Sequence, residues 1–215
     1  MKPAIFYAIL SLLVLLTAPA SATVSITVNS NGGSAYCDTT GNLLTTGCVV
    51  RVGFFDISAP GSLLTLQTSD DFATVDSFFK PLGEGIPNAG TINQTGSLTN
   101  YLVVNGMFAP GALFGQITGI DASYLTPGSD LSIWVFNNAD PQSASEWGIY
   151  TASTGWEFPS DLGSATLSTF EIDNVVRGLN TGTQFQLSSI SAVPEPGGLL
   201  LLLIAGGCFS RRRRP

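Results

Sequence analysis

After Thr23 the chain reads as short β-prone segments cut at close intervals by Gly, Pro, Asn or Asp. That punctuation leaves little room for long helices and favours strands joined by turns. "TVSITVNS" (residues 23–30) alternates Val24, Ile26 and Val28, and "CVVRVGFFDIS" (48–58) places Val50, Val52 and Phe54 on one face. Six further segments are bounded in the same way: "SLTNYLVVNG", "ALFGQITGID", "DLSIWVFNN", "EWGIYTAS", "ATLSTFEI" and "TQFQLSSI". One stretch reads as a helix, "TSDDFATVDSFFKPLG" (68–83). Ser69 is its expected cap, Asp70 and Asp71 suit its positive end, and Phe72, Val75 and Phe79 share a side. Pro81 and Gly83 are its expected stop. β-branched and aromatic residues outweigh strong helix formers. The expected fold is mainly β: a single β-sandwich-like (jelly-roll-like) body with one short helix.

The two ends differ from this body. Met1 and Lys2 precede an apolar run from Ala4 to Leu16, and "TAPASA" follows, with Ala20 and Ala22 in the small-residue positions that signal peptidase reads. The run is short for a membrane span, which needs about 20 residues, so cleavage before Thr23 is expected; an uncleaved anchor is the competing reading. The resulting division is 1–22 signal peptide, 23–190 β-rich extracellular domain and 191–215 tail. Between the two ends stand 14 acidic residues against three bases, Arg51, Lys80 and Arg177. Such a surface repels phosphate backbones, which argues against a nucleic-acid partner.

The chain contains no histidine, which removes Ser-His-Asp hydrolases, Cys-His proteases and histidine-dependent metal sites. A glycosidase needs only two carboxylates, and Glu146 with Glu157, or Asp70 with Asp71, are the candidates; solvated surface acids or helix caps are the plainer reading. No catalytic residue, metal site or cofactor is assigned. "GEGIPNAG" and "NGGSAYC" lack the phosphate-binding patterns and read as turns. "NNADP" and "SDD" offer oxygens without a calcium-loop spacing. Cys37 and Cys48 bracket ten turn-rich residues and, in an exported chain, read as a disulfide. Cys208 lies in the apolar tail. Trp147 and Trp156, in less regular segments than Trp134, are the candidate glycan contacts. A carbohydrate-binding module is therefore one alternative function, and a secreted carboxylate-dependent hydrolase another.

The tail, "SAVPEPGGLLLLLIAGGCFSRRRRP", has three parts in order. Val193, Pro194, Glu195 and Pro196 form a stiff, extended segment that suits a protease or transpeptidase cleft. Residues 197–210 would make a helix of about 21 Å, short against a hydrocarbon core of roughly 30 Å. Arg211, Arg212, Arg213 and Arg214 would hold the far end on the cytoplasmic side. This order resembles the PEP-CTERM sorting domain of Gram-negative bacteria, whose substrates are recognised by the membrane enzyme exosortase. The resemblance covers only the tail, and the short span and terminal Pro215 depart mildly from it. It implies export, a transient inner-membrane anchor through a C-terminal transmembrane sorting helix, cleavage near the motif, and delivery to the envelope, surface or matrix. It further implies association with extracellular polysaccharide or biofilm, with signal peptidase and exosortase as processing partners; the body itself is expected to be non-enzymatic.

Overall fold

The computed structural model describes residues 22–30, 35–98, 100–106 and 109–190. Ala20, the sorting motif Val193–Pro196, Arg211–Arg214 and Cys208 lie outside them, as do both expected flanking segments save Ala22. The first half carries β1 (Thr23–Asn29), β2 (Ala35–Cys37), β3 (Val49–Phe55), α1 (Ser62–Thr68), α2 (Phe72–Asp76), β4 (Phe79–Pro81), β5 (Ala89–Asn93) and β6 (Leu102–Val103). The second carries β7 (Phe114–Asp121), β8 (Leu131–Phe136), β9 (Glu146–Thr151), β10 (Ser164–Ser168), β11 (Asn174–Arg177), β12 (Leu179–Asn180), β13 (Gln184–Gln186) and β14 (Ser188–Ser189). The protein is mainly β, with several sheets in an arrangement consistent with a sandwich.

Alternation in β1 buries Val24, Ile26 and Val28 and turns Ser25 and Thr27 to the other side. β1 is interior to a four-stranded sheet ordered β10-β1-β7-β5, parallel to β10 and antiparallel to β7. The larger sheet runs β11-β9-β8-β3-β4, with β14 also on β9 and β6 also on β3. Its middle strand β8, "LSIWVF", is buried along its whole length, because both faces are covered. Leu131, Ile133 and Val135 enter the main core with Val50, Val52, Ile26 and Ile117. Trp134 and Phe136 point the other way, into an aromatic cluster with Phe55, Phe79 and Trp147. A three-stranded sheet, β12-β13-β2, adds Tyr36 and Phe185 against Tyr150. The Tyr150 hydroxyl donates to the Gln186 carbonyl at 2.8 Å.

The single expected helix over residues 68–83 shrinks to α2, and a second helix, α1, precedes it. Ser69 ends α1 instead of opening a helix. Asp71 caps α2, its carboxylate accepting from the Thr74 amide at 3.1 Å. The expected helical residue Phe79 lies in β4 opposite Phe55, their rings 4.7 Å apart. Packing of that pair takes the chain out of helix before Pro81 is reached. α1 went unanticipated because "SLLTLQT" is only seven residues long, too few to show a helical period; it buries Ser62 and Leu66 and leaves Leu63 and Leu64 exposed.

The cysteines correct a second expectation: Cys37 and Cys48 are both buried free thiols. The Cys37 Sγ lies 3.8 Å from the Phe185 carbonyl and Cys48 Sγ 3.6 Å from Thr45 Oγ1. Instead of a disulfide, the intervening loop is held by Asp38, whose Oδ1 accepts from the amides of Thr40 and Asn42 at 2.9 Å each. That network does locally what a covalent closure was expected to do.

Candidate functional site

The face of the large sheet turned away from the main core holds the unusual chemistry. Arg51 of β3 and Arg177 of β11 are both buried there, 6% exposed each, although sequence reasoning placed neither in the interior. Arg51 lies 4.8 Å from the Phe79 ring centre and 5.2 Å from that of Trp134. Its Nε and Nη2 donate to the two oxygens of Glu84 at 2.9 and 3.0 Å, and Nη1 to Asp76 at 2.6 Å. Burial pushes the Glu84 carboxyl up, with Arg51 working against it. Glu84 reaches this position through a left-handed backbone (φ 57°) between Gly83 and Gly85, also left-handed at 76° and 71°. A non-glycine residue there carries roughly 1–3 kcal/mol of strain, so the turn is held by what Glu84 meets.

Arg177 mirrors this arrangement. It sits 5.0 Å over Trp147, donates to Asp70 at 2.6 Å and to the Ser69 carbonyl, and reaches the Ser189 carbonyl at 3.3 Å. The two arginines therefore fasten opposite ends of the 69–76 segment onto the sheet. The third base, Lys80, donates to the Tyr124 carbonyl at 2.6 Å and lies over that ring. All three cations between the ends have internal partners.

The candidate glycan residues are corrected by this packing. Trp147 lies on β9 opposite Phe136 and meets Trp134 edge-on at 5.9 Å. Trp156 donates its indole proton to Glu171 at 3.1 Å. Both are buried, at 0% and 1% exposure, and neither offers a ring face for sugar stacking. Glycine-containing neighbours suggested exposure, but burial is set by the aromatic cluster and core that cover them.

The candidate carboxylates are also accounted for. Glu146 accepts from the Thr39 amide and hydroxyl at 2.9 and 2.6 Å. The backbone of Glu157 forms a β-bridge with that of Asp130, beside the start of β8 and hence at the end of β9 far from Glu146, and Glu157 is exposed. Asp70 pairs with Arg177, and Asp71 caps α2. In "NNADP", Asp140 caps a 3₁₀ turn over Pro141–Ser143, and Asn137 accepts from the amides of Ser145 and Glu146. Among the described residues no group of three or more Cys, Asp or Glu side chains is disposed to hold a metal ion.

Beyond the aromatic cluster, toward the start of β8, lies a cleft of about 220 Å³ under α1. Its floor is a polar row, because Ser132 pairs with Thr151 and Thr151 with Asn174 across three strands. Its other walls are Phe55, Ile57, Leu63 and Leu66, with Asp130 and Ser153 also lining it. Thr151 Oγ1 donates to the Leu131 carbonyl at 2.8 Å, and Ser153 bonds Asp173 through its amide at 2.8 Å. The cleft residues were missed in the sequence. The one signal was Ser132, a polar residue inside an otherwise apolar strand. Among the described residues no helix is long and apolar enough to cross a membrane. No protein family, curated protein or solved structure matches this chain.

Proposed function

We infer that this chain is a non-enzymatic protein exported to the cell surface or extracellular matrix and addressed there by its PEP-type tail. One observation carries the reading: a proline-flanked Val193-Pro194-Glu195-Pro196, a Leu-rich run from Leu199 to Ile204 and Arg211–Arg214 follow one another in that order. The apolar run parks the chain in the inner membrane, the arginines stop it, and the extended motif lies where exosortase cuts. At the other end, signal peptidase cuts after Ala22, which leaves every residue of β1 in place. The body between the cuts is read as a β-sandwich of jelly-roll-like type, delivered to a matrix of extracellular polysaccharide.

Eight of the body's carboxylates are engaged in structural pairings. Asp38, Asp56, Asp71, Asp140 and Asp173 accept hydrogen bonds from nearby turn or cap residues, and Asp70, Asp76 and Glu84 pair with buried arginines.

Intact mass measurement of the envelope and culture-medium forms tests the reading. The expected mature chain begins at Thr23 and ends near Pro194–Pro196. Recovery of the body only with Arg214 still attached refutes the processing step and leaves a plain anchor.

A further inference from the structure

We propose that the cleft between α1 and the start of β8 binds one neutral, hydroxylated ring, a single sugar residue. The inference concerns the folded body and holds whatever becomes of the tail. Its volume, about 220 Å³, falls below the roughly 300–1,000 Å³ of sites for drug-sized ligands. One ring with its hydroxyls fits; an oligosaccharide segment does not.

The lining selects the chemistry. Leu63, Leu66 and Phe55 offer an apolar wall, while Ser132 and Asn174 offer hydroxyl and amide groups from the sheet opposite. A pyranose has the same two-sided character, with C–H bonds on its faces and hydroxyls around its edge. The Ser132 side chain is the decisive group. Its residue is only 7% exposed, it lines the cleft, and no hydrogen bond holds its hydroxyl among the described residues. A wholly apolar ligand would seal that hydroxyl away without a partner, which is unfavourable. Anionic ligands are disfavoured because no basic side chain lines the cleft and Asp130 does. Arg51, Arg177 and Lys80 are held by other partners. The Asp130 carboxylate can accept from ligand hydroxyls directly.

The test uses the full chain in a zwitterionic detergent that carries no sugar headgroup. Saturation-transfer NMR and calorimetry are run with methyl hexopyranosides, glucuronate and cyclohexylamine as probes. The neutral hexosides are expected to bind in the millimolar range, with saturation passing from Leu and Phe resonances to their ring C–H protons. Glucuronate should bind more weakly, and Asp130→Asn should narrow that difference. Leu63→Trp fills the cleft from an exposed position, and Ser132→Ala removes the floor hydroxyl; each should weaken binding at least tenfold. Thermal melts confirm that both variants fold. The proposal is overturned if neutral hexosides fail to bind, if cyclohexylamine binds more tightly than they do, or if folded Leu63→Trp binds them as well as the native chain.

Discussion

Replacing Arg51 by Met keeps most of the side-chain length against Phe79 and Trp134 but removes the charge. Glu84, whose side chain is 7% exposed, then loses both of its guanidinium bonds and keeps a buried carboxylate. Breaking a buried pair from one side costs about 3–5 kcal/mol. Asp76 adds little, since its side chain is 39% exposed and water screens it. With a urea dependence of about 2 kcal/mol per molar, the unfolding midpoint should fall by about 1.5–2.5 M. The loss also enlarges a pH signature that the native protein already has, since its Glu84 carboxyl is raised even beside Arg51. Without Arg51, burial and Asp76 both push the Glu84 carboxyl upward, so the folded state holds its proton to higher pH than the unfolded state does. Stability of the variant should therefore fall as pH rises from the unfolded value of 4.5 through the raised folded value. Urea titrations followed by tryptophan fluorescence at several pH values supply the measurement, and Trp134 lies close enough to report. The double variant Arg51→Met/Glu84→Gln should recover a large part of the loss. A midpoint shift worth less than about 1 kcal/mol, or a double variant no better than the single one, refutes the argument that the unpaired carboxylate dominates.

Gly53→Ala should destabilise by about 1–3 kcal/mol or more in thermal melts, since a Cβ there would lie 2.4 Å from the Lys80 carbonyl oxygen and 2.7 Å from Phe79; an unchanged melt counts against the β3–β4 packing. Cys37 and Cys48 should both take up an alkylating reagent when the chain is unfolded without reductant, and dithiothreitol should leave the melting temperature unchanged. Protection from alkylation, or a melt that falls with dithiothreitol, restores the disulfide. Hydrogen bonds from Thr40, Ser58, Thr74 and Ser153 hold the carboxyls of Asp38, Asp56, Asp71 and Asp173 below their ordinary value of 3.8. Their contribution is present above that value and is lost as pH falls through the lower folded values; Thr74→Val should make the acid limb of the stability curve shallower.

Much of the strand framework was legible because strand periodicity is local. β1, β3, β7, β8 and β9 all fall within segments recognised by alternation or by apolar runs between turn residues. β2, β4 and β12 are two or three residues long, and too few positions remain to show a period. α1 is seven residues long, too short for the Leu63–Leu66 spacing to mark a helix, and the α2 region misled because Phe79 continues the helical spacing while pairing in β4. The candidate sites fared worse. Trp147 and Trp156 were placed by the irregularity of their neighbours, which says nothing about what lies across from them. The Cys37–Cys48 spacing suggested a bridge, whereas Asp38 closes that loop with hydrogen bonds.

By itself the sequence determined what depends on neighbours and composition: a mainly β body, the inward faces of β1 and β3, an acidic character, and a tail that orders a Pro-Glu-Pro motif, an apolar run and arginines. Only the tertiary structure decided which residues are interior. β8 is buried on both sides because the helical segment covers one face and the main core the other. Arg51 is drawn inside by Asp76 and Glu84, 25 and 33 residues away, and Arg177 by Asp70, 107 residues away. The cleft joins Leu63 of α1 to Ser132 of β8 and Asn174 of β11. Burial and charge pairing are set by contacts through space, and a one-dimensional pattern reports only the residues next to one another along the chain.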